Sequence, residues 1–253
     1  MEKKIVLITG GSSGIGLETA KQLLREGAQV IICGRSDDKL KEAKKLLPDV
    51  DIFRCDVTSD ENRRALVGYI ENKYNALHIL INNAGIAHRY MLEKTSDLSE
   101  RTRTEMEINY IAPVILSQLF LPLLIPQKGT IVNTCSGLSF LPLSFEPNYC
   151  ASKAALHSMT LSMRFRYAKV GVRVVAIYYP EVNTPFQQGH STPNALSPQT
   201  AVTEALKQLK KGKESIYVKR AKMLFLLSRL IPGKALKTIN NFLDERVEKV
   251  ISE

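Results

Sequence analysis

Ile5 to Ile8 is a short apolar run rich in β-branched residues, and it ends in the turn-forming stretch Thr9-Gly10-Gly11-Ser12-Ser13-Gly14. Beyond the turn, Leu17, Ala20, Leu23 and Leu24 recur at helical spacing, which gives the order strand, turn, helix. The cycle repeats along the chain. Gln29 to Cys33, Asp51 to Cys55, His78 to Ile81, Thr130 to Cys135 and Val172 to Tyr179 read as further strands. Between them lie helices carrying Leu40, Ala43 and Leu46, then Leu66 to Ile70, then a long one around Ser99 to Leu121, then one opened near Tyr149 with Ala154, Leu156, Met159 and Met163. Ser36 or Asp37 can cap the helix carrying Leu40, Ala43 and Leu46. Strands that read as nearly continuous apolar runs are those buried on both faces, so the alternation predicts a parallel sheet with helices on each side. Right-handed crossovers make it an α/β, doubly wound parallel sheet of the Rossmann type.

A chain of 253 residues is about right for one large α/β domain. The expectation is a single domain over 1–253, with a turn-rich loop over the site at about 184–199 and a basic, partly apolar segment at about 205–253. After the loop Ala201 to Leu209 reads as helical, Ser215 to Val218 as a last edge strand, and Met223 to Ile231 as an apolar run among cations. Apolar residues are 44% of the chain and charged residues 24%, enough for a sizeable core, which excludes disorder for most of it. Cys33, Cys55, Cys135 and Cys150 are scattered without metal-ligand spacing, so reduced thiols, no disulfide and no metal are expected. The apolar stretch after Lys3 and Lys4 is too short for a secretory leader, and no window is apolar enough for a spanning helix. A cytoplasmic protein is expected.

In the first strand-to-helix turn, Gly10 permits a tight turn, Gly14 lets backbone approach a pyrophosphate, and Gly16 lets the helix pack close to the strand. Free N–H groups at the helix start would face the anion, with Ser12, Ser13 and Ile15 beside them. A glycine-rich turn alone also fits a turn with no ligand, but its place after the first strand of a βαβ unit favours a dinucleotide.

The motifs further on carry a resemblance. TGGSSGIG, Cys55-Asp56-Val57, the NNAG stretch from Asn82 to Gly85, and then Asn109, Ser136, Tyr149 and Lys153 fall in order, so that Lys4 to Thr184 resembles the short-chain dehydrogenase/reductase family in its single-domain branch. Within it, ITGGSSGIGLE, IICGR, RCDV and YCASKAALHS look similar to the oxidoreductases associated with D-alanine esterification of lipoteichoic acid. The resemblance implies a catalytic set of Asn109, Ser136, Tyr149 and Lys153, with Asn109 holding a water that links Lys153 to solvent. It also implies cofactor contacts from Asp56, Val57, Asn83, Ala84 and Gly85, from Lys153 on the ribose, and from Val182 and Thr184 on the carboxamide. A homodimer or homotetramer follows from the same source.

The chemistry of the pair has its own reason. Positions i and i+4 share one helix face, so the Lys153 ammonium can lie near the Tyr149 phenol. A phenol titrates near 10, so acid or base work near neutrality needs a positive charge that favours phenolate, which Lys153 and an oxidised nicotinamide would provide. By itself the pair also suits an ordinary amphipathic helix. Ser136, just past an apolar strand, supplies the second group that can point at one carbonyl where strand ends gather. Pro113 is expected to loosen the helix at Asn109, which equally fits a helix-kink asparagine. Cys135, Cys150 and His157 read as packing residues.

At the end of the second strand the chain has Gly34 and Arg35 where a carboxylate would select the free ribose hydroxyl, so NADP is expected over NAD, with Ser36 able to add a hydroxyl contact. Asp37 and Asp38 oppose that choice. The substrate is expected to be a carbonyl compound or secondary alcohol, hydrophobic from Phe186 and the late apolar helix, and chosen by the loop from Thr184 to Gln199. Glu181 stands where the family more often has glycine after Pro180, which reshapes the pocket. The alternative is a dinucleotide-binding regulatory protein without turnover. From Lys207 to Lys237 ten basic side chains face one acid, Glu214. No aromatic stacking series accompanies them, so no nucleic acid is expected. Peripheral membrane attachment of Met223 to Ile231 is open but less favoured than burial over a pocket or subunit contact.

Overall fold

The structure is a computed structural model describing residues 1, 3–187, 189 and 191–251; Glu2, Gln188 and His190 of the sequence reading, with Ser252 and Glu253, lie outside the described residues. In chain order the strands are β1 (Ile5–Thr9), β2 (Gln29–Gly34), β3 (Asp51–Arg54), β4 (Ile79–Asn82), β5 (Thr130–Ser136), β6 (Arg173–Tyr179) and β7 (Ser215–Tyr217). The helices are α1 (Gly14–Arg25), α2 (Asp37–Leu46), α3 (Asp60–Tyr74), α4 (Leu98–Met106), α5 (Ala112–Leu119), α6 (Leu121–Leu124), α7 (Pro147–Tyr167), α8 (Pro198–Lys210), α9 (Ala221–Leu230) and α10 (Pro232–Ile251).

All seven strands pair in parallel, in the order β3-β2-β1-β4-β5-β6-β7. The doubly wound sheet expected from the sequence is therefore present, with β7 as its edge. Side chains alternate across it because a strand has a period of two. Val6, Ile8, Val30 and Ile32 face the layer of α1, α2 and α8, whereas Leu7, Ile31, Leu80 and Ile131 face α3, α5 and α7. β1, β2 and β6 are apolar on both faces because each face is covered, whereas the short edge strand β3 is only half-buried.

Local chemistry sets the helix ends. The Ser36, Ser59 and Ser197 hydroxyls accept from the amides of Lys39, Asn62 and Thr200, caps that contribute about 1 kcal/mol each. Asp37 and Asp38 open α2 and Lys44 and Lys45 close it, matching the helix dipole. The long helix expected from 99 to 121 is broken into α4, a π-helical segment at Glu107–Ile111, and α5. Pro113 has no N–H for the carbonyl four residues back, so the α-helical ladder cannot pass Asn109 unchanged.

A buried polar chain ties the second half of the sheet to its helices. Asn82 Nδ2 donates to Ser117 Oγ at 3.1 Å and Asn133 Oδ1 at 2.8 Å, and Asn133 Nδ2 donates to Thr160 Oγ1 at 2.9 Å. It fixes α5 and α7 against β4 and β5. The strand order reverses between β1 and β4, and ligands of such sheets bind in the crevice that this reversal opens at the carboxyl ends of the strands.

Candidate active site

The turn after β1 is built for close approach. Gly10 has φ +63°, and a Cβ there would lie 2.8 Å from Ala84 Cα, so no other residue fits without displacement. Thr9 Oγ1 accepts from the amides of Asn83 and Ala84, both at 3.0 Å, and Asn83 Nδ2 donates to the carbonyls of Thr9 and Gly10 at 3.0 and 3.1 Å. The NNAG stretch thus stitches β4 to the glycine turn. Ser13, at the start of α1, makes no side-chain cap, unlike Ser36, Ser59 and Ser197, and the first turn of α1 opens on the crevice. Uncapped amides at a helix N-terminus suit a phosphate.

The crevice is a cleft of about 350 Å³ that runs across the strand ends. It brings together Gly10, Ser12, Ser13, Gly14, Ile15, Arg35, Asp56, Val57, Asn83, Ala84, Gly85, Ser136, Tyr149, Lys153, Val182 and Thr184 from the sequence reading. Gly16 and Asn109 stand behind the lining. At Gly16 a Cβ would fall 2.4 Å from the Gly10 carbonyl oxygen, so its place is the helix–turn contact. Asn109 is fully buried: its Oδ1 accepts from Ile86 N–H at 2.9 Å, and its Nδ2 donates to the Ile86 carbonyl at 2.9 Å and Ser152 Oγ at 3.0 Å.

At one end of the cleft Arg35, Ser36 and Lys39 line the wall with Gly34 between them and the glycine turn. Lys39 was not legible as a site residue, since only the first turn of α2 carries it there. Asp37 does not line the cleft; its carboxylate lies 3.8 Å from Arg54 Nε.

At the other end Ser136 closes β5, and its Oγ accepts from Leu138 N–H at 3.1 Å. Tyr149 and Lys153 come from the first two turns of α7. Lys153 Nζ donates to the Thr134 carbonyl at 2.9 Å and lies 5.8 Å from the centre of the Tyr149 ring. Burial pushes the lysine down to about 8. The phenol stands above its usual range, because burial penalises phenolate and Glu146 adds to it, while a hydrogen bond from Ser136 opposes both. The sequence expectation was that Lys153 and an oxidised nicotinamide together would favour phenolate; in the protein alone burial is the larger influence. Desolvation dominates, and the Lys153 ammonium is engaged with the Thr134 carbonyl. Cys135 and Cys150 are buried with thiols pushed up to about 12, so neither is a poised nucleophile.

A larger cavity of about 590 Å³ adjoins the Tyr149 end and shares Ser136, Tyr149, Tyr179, Pro180, Phe186 and Gln187 with the cleft. Leu138, Leu143, Phe145, Leu196, Met223, Leu224 and Ile239 make it mainly apolar. Sequence reading missed the ion pair in its wall. Arg89 Nε donates to Glu146 Oε1 at 2.7 Å, and its other nitrogens donate to the Gln187 carbonyl at 3.3 Å and to Gln187 Oε1 at 2.5 Å. Neither residue belongs to a motif, and 57 positions separate them. Glu181 is the second surprise. Both its oxygens hold Thr192, and Leu196 bridges to Val182, so the described part of the loop expected over the site is tied to the end of β6.

A parallel doubly wound sheet whose switch-point crevice carries an uncapped glycine turn and a serine, tyrosine and lysine around one point defines a dinucleotide-binding oxidoreductase. The family model described as short chain dehydrogenase matches residues 4–195, and the chain belongs to that family of nicotinamide-dependent oxidoreductases. Among relatives, the Bacillus subtilis (strain 168) protein named uncharacterized oxidoreductase DltE is 42% identical over 230 residues, 88% of this chain and 91% of that protein. A short chain dehydrogenase from Burkholderia cenocepacia J2315, solved in complex with NADP, superposes with a TM-score of 0.83 at 26% identity, covering 92% of this chain and 95% of that one. A family member from Burkholderia phymatum in complex with NAD shares the fold, with a TM-score of 0.82 at 20% identity over 94% of this chain and 96% of that one.

Proposed function

We propose that this chain is an NADP-dependent oxidoreductase that interconverts an apolar carbonyl compound and its secondary alcohol, with Tyr149 as the acid and base. The observation that carries it is the junction of the two cavities at Ser136 and Tyr149: one holds the glycine turn and the other is apolar. The cleft fits the dinucleotide on its own geometry, since the Gly10 turn has no room for a side chain and the α1 amides are uncapped. When bound, the nicotinamide supplies or accepts the hydride. Arg35, Lys39 and the Ser36 hydroxyl form a cationic wall suited to a 2′-phosphate, and the NADP complex of the Burkholderia cenocepacia relative supports the same choice.

In the reductive direction Tyr149, protonated at neutral pH, gives its proton to the carbonyl oxygen, and Ser136 hydrogen-bonds that oxygen as it gains charge. Lys153 holds the floor of the site on Thr134 and returns a proton to the phenol side. Asn109 fixes the backbone of Ile86 against α7, which keeps the β4 loop beside Lys153; the proposed water relay would run past this residue. The outward stripe of Leu161 and Phe165 on α7, the latter 76% exposed, supports a subunit contact in a homodimer or homotetramer. The test is carbonyl-dependent oxidation of NADPH across a panel of ketones and aldehydes. Tyr149→Phe is expected to lower it by about 10²–10⁴-fold while NADPH still binds. Undiminished turnover in that variant removes the proposed acid.

A further inference from the structure

We infer that the outer face of α9, continued by the start of α10, docks on the surface of an anionic phospholipid bilayer. α9 carries two apolar faces. One turns inward, where Ala221 is fully buried, Leu224 lies over Gly137, and Phe225 meets Phe140 edge-on at 5.1 Å. The other runs through Met223, Leu226, Leu227 and Leu230, the i, i+3, i+4, i+7 spacing that sets side chains on one stripe. Of these Leu226 is 44% and Leu230 75% exposed, and Ile231 and Leu236 extend the apolar surface past the helix junction. The inward face covers the larger cavity, which Leu224 lines, and leaves the outer stripe exposed.

The rim of the stripe decides what covers it. Lys219 and Lys222 flank it, with Arg220 at the cavity and Arg229 over the Phe225 ring at 5.6 Å, and none of the four forms an ion pair with a described residue. Lys219 and Lys222 also line a groove with Lys207, Lys211 and Lys213. A second copy meeting this face about a two-fold axis would set these cations against their own images. An anionic bilayer takes the apolar stripe into the headgroup boundary and meets the cationic rim with opposite charge. Among the described residues no single helix is long and apolar enough to cross a membrane, so the contact proposed is with the surface. Met223 belongs both to the stripe and to the lining of the larger cavity. On the functional reading above, that places the pocket mouth at the lipid, where an apolar carbonyl or alcohol is concentrated.

The experiment is flotation of the full chain with vesicles, without dinucleotide. Vesicles of mixed phosphatidylglycerol and phosphatidylcholine are expected to carry the protein, and pure phosphatidylcholine or about 0.5 M salt to lower the bound fraction about tenfold, because the cationic rim is screened. A Leu226→Asp/Leu230→Asp variant is expected to lose binding with its circular dichroism and Tm unchanged, since both side chains are exposed; Leu46→Asp, exposed on α2, is expected to keep it. No binding to anionic vesicles, or equal binding by the double variant, overturns the inference. So does light scattering that shows an oligomer dissolved by the double variant while vesicles go unbound, which assigns the face to a second copy. Because no turnover is measured, failure here leaves the reductase reading intact, and failure of that reading leaves the vesicle result standing.

Discussion

Glu181 holds Thr192 with both carboxylate oxygens, accepting from its backbone N–H at 2.7 Å and from its hydroxyl at 2.5 Å. The clamp closes an eleven-residue span, joined by the Leu196 N–H to the Glu181 carbonyl at 3.0 Å and the Asn183 N–H to the Leu196 carbonyl at 2.8 Å. A pair of hydrogen bonds to a charged group contributes about 1.5–3 kcal/mol each at most, and less at a partly wet surface. Glu181→Gly is therefore expected to open the loop about tenfold more often, seen as faster amide exchange and proteolysis between 184 and 196. Substrate KM should rise while kcat changes less, because the loop lines the pocket without touching the reacting atoms. Unchanged exchange would show that the loop is held by its backbone bridges alone.

Arg35 and Lys39 are both exposed at the mouth of the cleft, so each is worth about 1 kcal/mol or somewhat less toward a bound phosphate. The Arg35→Ala/Lys39→Ala pair is expected to weaken NADP binding about tenfold or more and leave NAD within about twofold. Gly34→Asp, which places a carboxylate beside the ribose 2′ position, should invert the preference. Calorimetric titration with each dinucleotide reads both. Equal weakening toward NAD and NADP would place these cations on the shared pyrophosphate.

Tyr149 and Lys153 are shifted in opposite directions, and on the proposed mechanism both shape the pH dependence. The phenol is raised, so the protonated acid persists through neutrality, and carbonyl reduction should stay flat from about pH 6 to 8. Alcohol oxidation needs phenolate and should climb over the same range. Lys153 is lowered from 10.5 to about 8, so the unfolded chain binds more protons between those values and stability rises with pH there. Below about pH 8 the buried charge costs on the order of 3 kcal/mol. Lys153→Met is expected to raise Tm at pH 7 relative to the parent, with the gap narrowing by pH 9.5. A gap independent of pH would mean that Thr134 and neighbouring dipoles already compensate the charge.

What the sequence disclosed follows the range of the interactions involved. Strands, the glycine turn and the i, i+4 pair of Tyr149 and Lys153 are local, and periodicity exposes them. The π-helical segment was half legible, since Pro113 announces a lost donor without saying how the ladder repairs itself. Arg89 and Glu146 were invisible because their contact exists only after β4 and α7 are brought together. The direction of the Tyr149 shift in the protein alone was not legible for a related reason: spacing shows that a lysine is near, and only burial shows which influence is larger. Glu181 was noticed as a departure from the family, yet its partner Thr192 lies in a segment without periodicity.

Asn109 joins the framework to the chemistry, and its two roles separate in one variant. Its side chain makes three hydrogen bonds, to both backbone groups of Ile86 and to Ser152 Oγ, in a fully buried position. Asn109→Ala leaves these partners without a replacement, and water reaches them only if the helix opens. A cost of about 2–4 kcal/mol follows from stranding that many groups. For a chain of this size that corresponds to a Tm lower by roughly 5–15 °C. Asn109→Asp keeps the acceptor for the Ile86 N–H but sets a second carboxyl oxygen against the Ile86 carbonyl in a buried site, so it should cost as much as the alanine or more. Thermal unfolding of both variants, with NADPH binding measured below their midpoints, provides the check. If Asn109→Ala keeps its Tm and its affinity for NADPH but loses turnover, the residue acts on proton movement alone, and the account of it as the brace between the β4 loop and α7 is wrong.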